Sequence, residues 1–354
     1  MFSLSEMLRT MVKERASDLH LVVGMPPQFR IDGQLIPFGE EKLTPETCRE
    51  LVYSILGDDQ KNKLEENKEL DTAFGIKDLS RFRVNVYYDR NCIACAIRTI
   101  PYRILNFDEL GLPNVVKTLA RKPRGLILVT GPTGCGKSTT LASIIDLINT
   151  ERSCHIITVE DPIEYVHMHK KAIINQREIG QDTFSFVNAL KYVLRQDPDI
   201  ILIGEMRDLE TISAALTIAE TGHLVFATLH TNDTIQTINR IIDVFPPHQQ
   251  PQVRMQLSFV MEGIMSQQLI PKAGGKGRAL ALEVMIPNPA IKNLIREQKV
   301  HQIYSTLQTS QKLGMQTMNQ GLLNLYATGV ISYDEAVNHS FNQEEFYQML
   351  GKGK

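Results

Sequence analysis

Residues 124–140, RGLILVTGPTGCGKSTT, constrain this chain more than any other stretch. The run Leu126-Ile127-Leu128-Val129-Thr130 is short, apolar and β-rich, which reads as a strand buried on both faces of a parallel sheet. A glycine-rich turn follows, and then a helix. Gly131, Gly136, Lys137 and Ser138 satisfy G-x-x-x-x-G-K-[ST], a phosphate-binding loop, in the strand-then-helix setting that the motif needs. Glycines let the backbone curl so that successive N–H groups face phosphate oxygens, and the new helix N-terminus adds partial positive charge. Lys137 is expected to reach the β- and γ-phosphates and the Ser138 hydroxyl to ligate magnesium. The candidate nucleotide contacts are therefore Gly131, Thr133, Gly134, Cys135, Gly136, Lys137, Ser138 and Thr139, with no individual role assigned to Thr139. A chance glycine-rich turn would lack this flanking context.

A chain of 354 residues is long enough for two domains or more. Its 43% hydrophobic and 22% charged content is that of a globular protein rather than a disordered one. The formal net charge of -2 offers no global attraction to nucleic acid, and no basic stretch is interleaved with aromatics, so a nucleic-acid partner is not expected. No apolar run approaches the roughly 18 residues of a membrane span, and the start, MFSLSEMLRTMVKERASD, is an amphipathic helix pattern without a signal-peptide core. A cytoplasmic protein is expected, meeting membranes only through partners. Cys48, Cys92, Cys95, Cys135 and Cys154 are odd in number and scattered, the pattern of free thiols. Cys92-Ile-Ala-Cys95 has no second pair for zinc and lies in an alternating strand, so packing is the favoured reading over metal or redox use. Cys135, inside the loop, is an oxidation candidate. His167-Met168-His169 lacks a third ligand and is set aside as a metal site.

Residues 1–100 read as a small α+β domain. Leu4, Met7, Leu8 and Met11 recur at helical spacing, residues 19–23 and 29–31 alternate as strands, and Asp32-Gly33 signals a hairpin to Leu35-Ile36. Thr44-Pro45 opens a helix, as cap and first-turn proline. Residues 81–88 and 93–98 form a second hairpin, in which Arg81, Arg83 and Asn85 share one face opposite Phe82 and Val84. That stripe is either a solvated face or a pair of guanidinium groups for a phosphate at a domain or subunit boundary. Residues 101–123, punctuated by proline, read as a linker with one short helix at 114–119. From 124 onward strands at 126–130, 155–160, 200–203 and 224–229 alternate with helices, implying parallel β/α units with an active crevice at the strands' carboxyl ends. Pro246-Pro247-His248 marks a shift toward a helical tail, with one last strand at 283–286 and short helices at 289–297, 300–309, 318–327 and 333–337. The terminal Gly351-Lys352-Gly353-Lys354 reads as a frayed end.

Three further stretches carry chemistry. IILIGE, 200–205, is an apolar strand ending in a carboxylate, the pattern that holds magnesium in nucleotide hydrolases. The usual aspartate position is Gly204, so Glu205 has to serve, through a metal-bound water. In TVEDPIE, Glu160, Asp161 and Glu164 form a second acidic cluster. A base that orients the attacking water must sit near the γ-phosphate without being consumed as a metal ligand, and spacing alone leaves Glu160 and Glu164 both open. In ETGHLVFATLHTND, His223 and His230 bracket a buried strand; either can be structural, but His230 is at the carboxyl end, where an imidazole can hydrogen-bond a γ-phosphate oxygen.

GPTGCGKSTT, ITVEDPIE, DPDIILIGEMRD and ETGHLVFATLHTND, in this order, resemble the Walker A, Asp box, Walker B and His box of the secretion ATPases of type II secretion and type IV pili. The likeness covers nearly the whole chain. It implies an α/β fold: a PAS-like N-terminal domain (1–100), a linker (101–123), a RecA-like ATPase core (124–286) and a helical C-terminal region (287–354). ATP and magnesium are the implied ligands and a homohexameric ring the implied assembly. Glu164 resembles the general base, Glu205 the magnesium-associated acid, His230 the γ-phosphate sensor, and Arg81 and Arg83 the N-terminal-domain arginines that close onto nucleotide. The short N-terminal region and the missing four-cysteine zinc module resemble the pilus-retraction branch, as does AIKNLIRE, 290–297, which differs from that branch's AIRNLIRE by Lys292 in place of arginine. The resemblance thus implies a motor of pilus retraction and twitching motility at the cytoplasmic face of the inner membrane. Its partners would be a membrane platform protein and, indirectly, pilin. A pilus-extension or secretion ATPase, and a nucleotide-gated partner that does not hydrolyse, are the alternatives.

Overall fold

The computed structural model describes residues 3–31, 33–76, 79–100, 103–275 and 277–351. The chain divides into two compact units, Met1–Arg103 and Ile104–Lys354, each with its own core.

The first unit is built from α1 (Leu4–Lys13), β1 (Asp18–Leu21), β2 (Gln28–Ile31), β3 (Gln34–Pro37), α2 (Pro45–Tyr53), α3 (Asp58–Asn67), β4 (Glu69–Ile76), β5 (Ser80–Asp89) and β6 (Cys92–Ile100). Ser3 caps α1 by accepting from the Glu6 N–H, and Thr44 caps α2 through the Thr47 N–H, leaving Pro45 at the first turn where no donor is lost. The strands form one antiparallel sheet in the order β3-β2-β1-β6-β5-β4. Gly33 is left-handed at φ 86° and Ile31 faces Gln34, as a tight hairpin requires; Asp32 lies outside the described residues. Along β5, Phe82, Val84 and Val86 are buried while Arg83 and Asn85 are exposed, so the alternation holds. Asp71 on β4 takes both, Asn85 Nδ2 at 3.2 Å and Arg83 Nη2 at 3.9 Å. Cys95 is fully buried in β6, and burial pushes its thiol far above the ordinary value. Cys48 is likewise pushed up to about 11 by burial, which leaves both as inert core residues. Among the described residues no His/Cys/Asp/Glu cluster could hold a metal.

The second unit contains α4 (Phe107–Leu110), α5 (Asn114–Ala120), β7 (Gly125–Thr130), α6 (Lys137–Glu151), β8 (His155–Glu160), β9 (Ile173–Glu178), α7 (Phe186–Val193), β10 (Ile200–Ile203), α8 (Leu209–Glu220), β11 (Leu224–Leu229), α9 (Thr234–Asp243), α10 (Gln250–Val260), β12 (Met261–Pro271), β13 (Arg278–Met285), α11 (Pro289–Arg296), α12 (Ile303–Thr309), α13 (Met318–Ala327), α14 (Tyr333–Asn338) and α15 (Gln343–Met349). Seven strands lie in the order β13-β12-β7-β11-β10-β8-β9. All are parallel except β13, which returns antiparallel to β12. Every residue of β7, β10 and β11 is buried, because alternate side chains feed opposite layers. Leu126 and Leu128 join the layer of α7–α12, whereas Ile127 and Val129 join that of α4–α6. Residues 107–120 are therefore part of the core, with Val116, Leu119 and Ala120 of α5 buried in it.

Between α9 and α11 the chain holds more strand than the shift at Pro246-Pro247-His248 suggests, while α11–α15 form the expected helical C-terminal region. After α10 it returns to the sheet as β12, and the expected last strand at 283–286 is the end of the longer β13. Helix α11 matches the expected 289–297 segment; its Lys292 lies 3.8 Å from Glu262, which also holds Lys122 at 2.7 Å. Glu283 of β13, 2% exposed, accepts from the first N–H of two helices, Thr234 of α9 at 2.8 Å and Met318 of α13 at 3.4 Å. Helix α13 lies so close to β13 that a Cβ on Gly321 would stand 2.7 Å from the Leu282 carbonyl oxygen. Gly321→Ala is therefore expected to destabilise the protein by about 1–3 kcal/mol. Chemical denaturation measures this, and an unchanged midpoint would refute the close packing.

Candidate functional site

The site begins where β7 ends. Gly131, Gly134 and Gly136 have φ of 140°, 79° and 87°, conformations that L side chains rarely adopt. At Gly131 a Cβ would also overlap the backbone carbonyl of Gln267 on β12. Helix α6 starts at Lys137 with Gly136 as its cap residue, so no side chain occupies the helix's first N–H groups. Lys137, 8% exposed, donates from Nζ to the carbonyls of Gly131 (2.8 Å) and Pro132 (3.0 Å), folding its charge into the loop. The fully buried Gln267 donates from Nε2 to the Cys135 carbonyl at 2.9 Å and so braces the loop from behind. Cys135 is itself buried, and burial raises its thiol despite the opposing pull of Lys137. That environment disfavours the thiolate that oxidation needs.

Glu205, just past β10, forms the second wall. Its carboxylate takes a bidentate pair from Arg207, Nε at 2.5 Å and Nη2 at 2.7 Å, and lies 3.2 Å from His230 Nε2. Burial alone would raise this acid, but Arg207 and His230 together hold it below the usual carboxylate range. The other ring nitrogen of His230 lies 3.4 Å from Thr133 Oγ1. One imidazole thus joins the phosphate loop to the acid at the end of β10. Gly204 has a steric reason: a Cβ there would meet the Val159 carbonyl and the Glu160 Cα, both at 3.2 Å, on neighbouring β8.

The third wall is the end of β8. Glu160 accepts from Thr158 Oγ1 at 2.6 Å and from Gln176 Nε2 at 3.2 Å. Burial pushes its carboxyl up to about 7, a shift that the Thr158 and Gln176 hydrogen bonds only partly oppose. A cavity of about 30 Å³ lies beside it, lined by Ser138, Glu160, Tyr165, His167, Gly204 and Thr228. His167 is held neutral, its imidazole lowered to about 4 by burial. Tyr165 OH meets Thr139 Oγ1 at 2.9 Å and ties this segment to α6.

The structure therefore brings Thr133, Glu205 and His230 into contact and sets Ser138 and Glu160 around one cavity. Glu164 is exposed on the segment between them. Arg81 and Arg83 belong to the first unit. His223 sits at the opposite end of β11, with Nδ1 near Ile218 O and Thr221 Oγ1, as a structural residue. Sequence reading missed Arg207, Tyr165, Gln176 and Gln267. Arg207 had a signal, a base two residues after the strand-ending acid; the others act through partners distant in sequence.

The hard oxygen donors Ser138 and Glu205, beside a loop with an uncapped helix end and a buried ammonium, fit a magnesium–triphosphate group. A parallel sheet with this loop after one strand, and acids and a histidine at the carboxyl ends of its neighbours, defines a RecA-like phosphate-loop ATPase core. The chain belongs to the family described as type II/IV secretion system protein, whose model matches residues 2–276. It is 49% identical over 343 residues to the type IV pilus retraction ATPase PilT of Pseudomonas aeruginosa, covering 97% of this chain and 99% of that one. To a twitching motility protein of Neisseria gonorrhoeae it is 45% identical, covering 97% and 92%. A crystal structure of the pilus retraction motor PilT with bound ADP superposes with a TM-score of 0.93 at 52% identity, covering 99% of this chain and 100% of that one.

Glu160 makes stability depend on pH. Its folded value of about 7 lies above the ordinary 4.5, so the folded state holds the proton longer than the unfolded chain does. Stability contributed by this group therefore falls as pH rises from about 4.5 to about 7, by roughly 3 kcal/mol in all. Glu160→Gln should flatten that part of a denaturation-versus-pH curve; an unchanged slope would assign it to another group.

Proposed function

We propose that this chain is an ATP-hydrolysing motor that powers type IV pilus retraction. The observation that carries the reading is the Thr133–His230–Glu205 contact beside an intact phosphate loop, in a chain with the relatives just described. Lys137 places its ammonium on the β- and γ-phosphates, exchanging the Gly131 and Pro132 carbonyls for phosphate oxygens. Ser138 and Glu205 would hold magnesium, which would supply charge neutralisation at the phosphates. His230, already in contact with Thr133 and Glu205, reports a γ-phosphate by hydrogen-bonding it. Glu164 orients the attacking water, with Glu160 at the start of the same segment. Arg81 and Arg83 keep the role that the resemblance gives them, guanidinium charge for the transferring phosphoryl group. A homohexamer at the cytoplasmic face of the inner membrane, acting on a platform protein and through it on pilin, completes the reading.

Glu205→Ala should abolish magnesium-dependent ATP hydrolysis while leaving the thermal transition in place. Glu164→Gln should lower kcat by roughly 10²–10⁴-fold with ATP still bound. Full turnover by either variant, in a steady-state phosphate-release assay, would overturn the mechanism. Deletion of the gene decides the direction of work: surplus pili that no longer retract agree with retraction, and bald cells refute it.

A further inference from the structure

Gln176, on the edge strand β9, is a neutral residue that no step of the chemistry names, yet it makes three side-chain hydrogen bonds at the site. Its amide spends both ends on the segment 160–167. Nε2 donates to Glu160 Oε1 at 3.2 Å and to the Tyr165 carbonyl at 2.8 Å, while Oε1 accepts from the His167 N–H at 2.8 Å. Three bonds from one side chain thus fix the start, the middle and the end of the segment that carries Glu164. The same segment is tied to α6 by Tyr165 OH and Thr139 Oγ1. Glu164 is exposed and so has no packing of its own to hold it.

We propose that Gln176 is a positioning residue for hydrolysis: it clamps residues 160–167 and thereby holds Glu164 where it can orient water. This rests on the reading of Glu164 as the water-orienting base. An amide suits the place because it must donate twice and accept once, and among neutral side chains of this length only glutamine does both. The groups that face Glu160 here are Thr158 of β8, Gln176 of β9, Glu164, Tyr165 and His167 of the clamped segment, and Ser138 of α6. Of these Glu164, Tyr165 and His167 carry ionisable side chains, and among the described residues Gln176 is the one side-chain N–H donor to the Glu160 carboxylate.

Two variants of the full chain test the clamp by steady-state ATP hydrolysis and by amide hydrogen exchange. Gln176→Leu removes all three bonds. It should lower kcat at least tenfold, leave the KM for ATP within threefold, and speed exchange at residues 163–168 at least tenfold without speeding it in β7 or β11. Gln176→Glu keeps the acceptor for His167 but replaces the donors with a carboxylate beside Glu160. Relative to the wild type at the same pH, it should lose at least tenfold in kcat at pH 8. At pH 6, where the two carboxyls share a proton and one of the two donors returns, the loss relative to the wild type should shrink at least threefold. Unchanged exchange at 163–168 in both variants, or a Gln176→Glu profile parallel to the wild type, overturns the proposal, as does faster exchange throughout the second unit. If Gln176→Leu does not fold, the near-isosteric Gln176→Glu decides alone. Wild-type turnover by Glu164→Gln would remove the catalytic reading, while exchange at 163–168 would still show whether Gln176 holds the segment.

Discussion

The phosphate loop can curl as it does because the backbone of β12 passes directly behind it. Gly131 has no room for a side chain against the Gln267 carbonyl, and the Gln267 amide holds the Cys135 carbonyl from the same side. Thr130 and Ser266 add a hydroxyl pair at 2.8 Å one residue earlier on each strand. The loop is therefore a joint between β7, α6 and β12, and not a free turn at the end of one strand. A strand drawn from beyond the β/α alternation sets the shape of the site that the alternation presents, so the second half of the unit enters the chemistry through its backbone.

Around that joint the polar groups divide into two connected sets. Thr133, His230, Glu205 and Arg207 run across the carboxyl ends of β7, β11 and β10 and carry opposite charges in partial exposure. Thr139, Tyr165, Gln176 and Glu160 run toward β9 and are held by neutral donors. The electrostatics follow from this difference. Glu205 is kept ionised by a guanidinium, whereas Glu160, buried and with no cation among its hydrogen-bond partners, is lifted to about 7 by burial. Two acids on adjacent strands thus hold different protonation states near neutrality.

What could be read from the sequence was whatever depends on local order. The strands 126–130, 200–203 and 224–229 are unbroken apolar runs, and the loop's glycines and lysine stand at fixed offsets, so sheet, loop and strand-end acids were all legible. Helix α3, DDQKNKLEEN, was not, because it buries only Leu64 and shows no apolar period. Strands β9 and β12 were missed for a related reason. Their Gln176, Ser266 and Gln267 look like loop residues until their partners, on segments up to 136 residues away, are seen to satisfy them. The same blindness hid Gln176 and Gln267 as site residues, since a neutral amide has no charge pattern to betray it.

The carboxylate of Glu283 has a consequence for how this unit comes apart. It is shared by the first N–H groups of α9 and α13, and burial raises its pKa despite those donors. Melting either helix end would strand a buried acid with only half of its hydrogen bonds, which is costlier than losing the helix end alone. The helix that follows the His230 strand and helix α13 of the C-terminal region therefore loosen together, as a single cooperative block, although 84 residues separate their bonded amides.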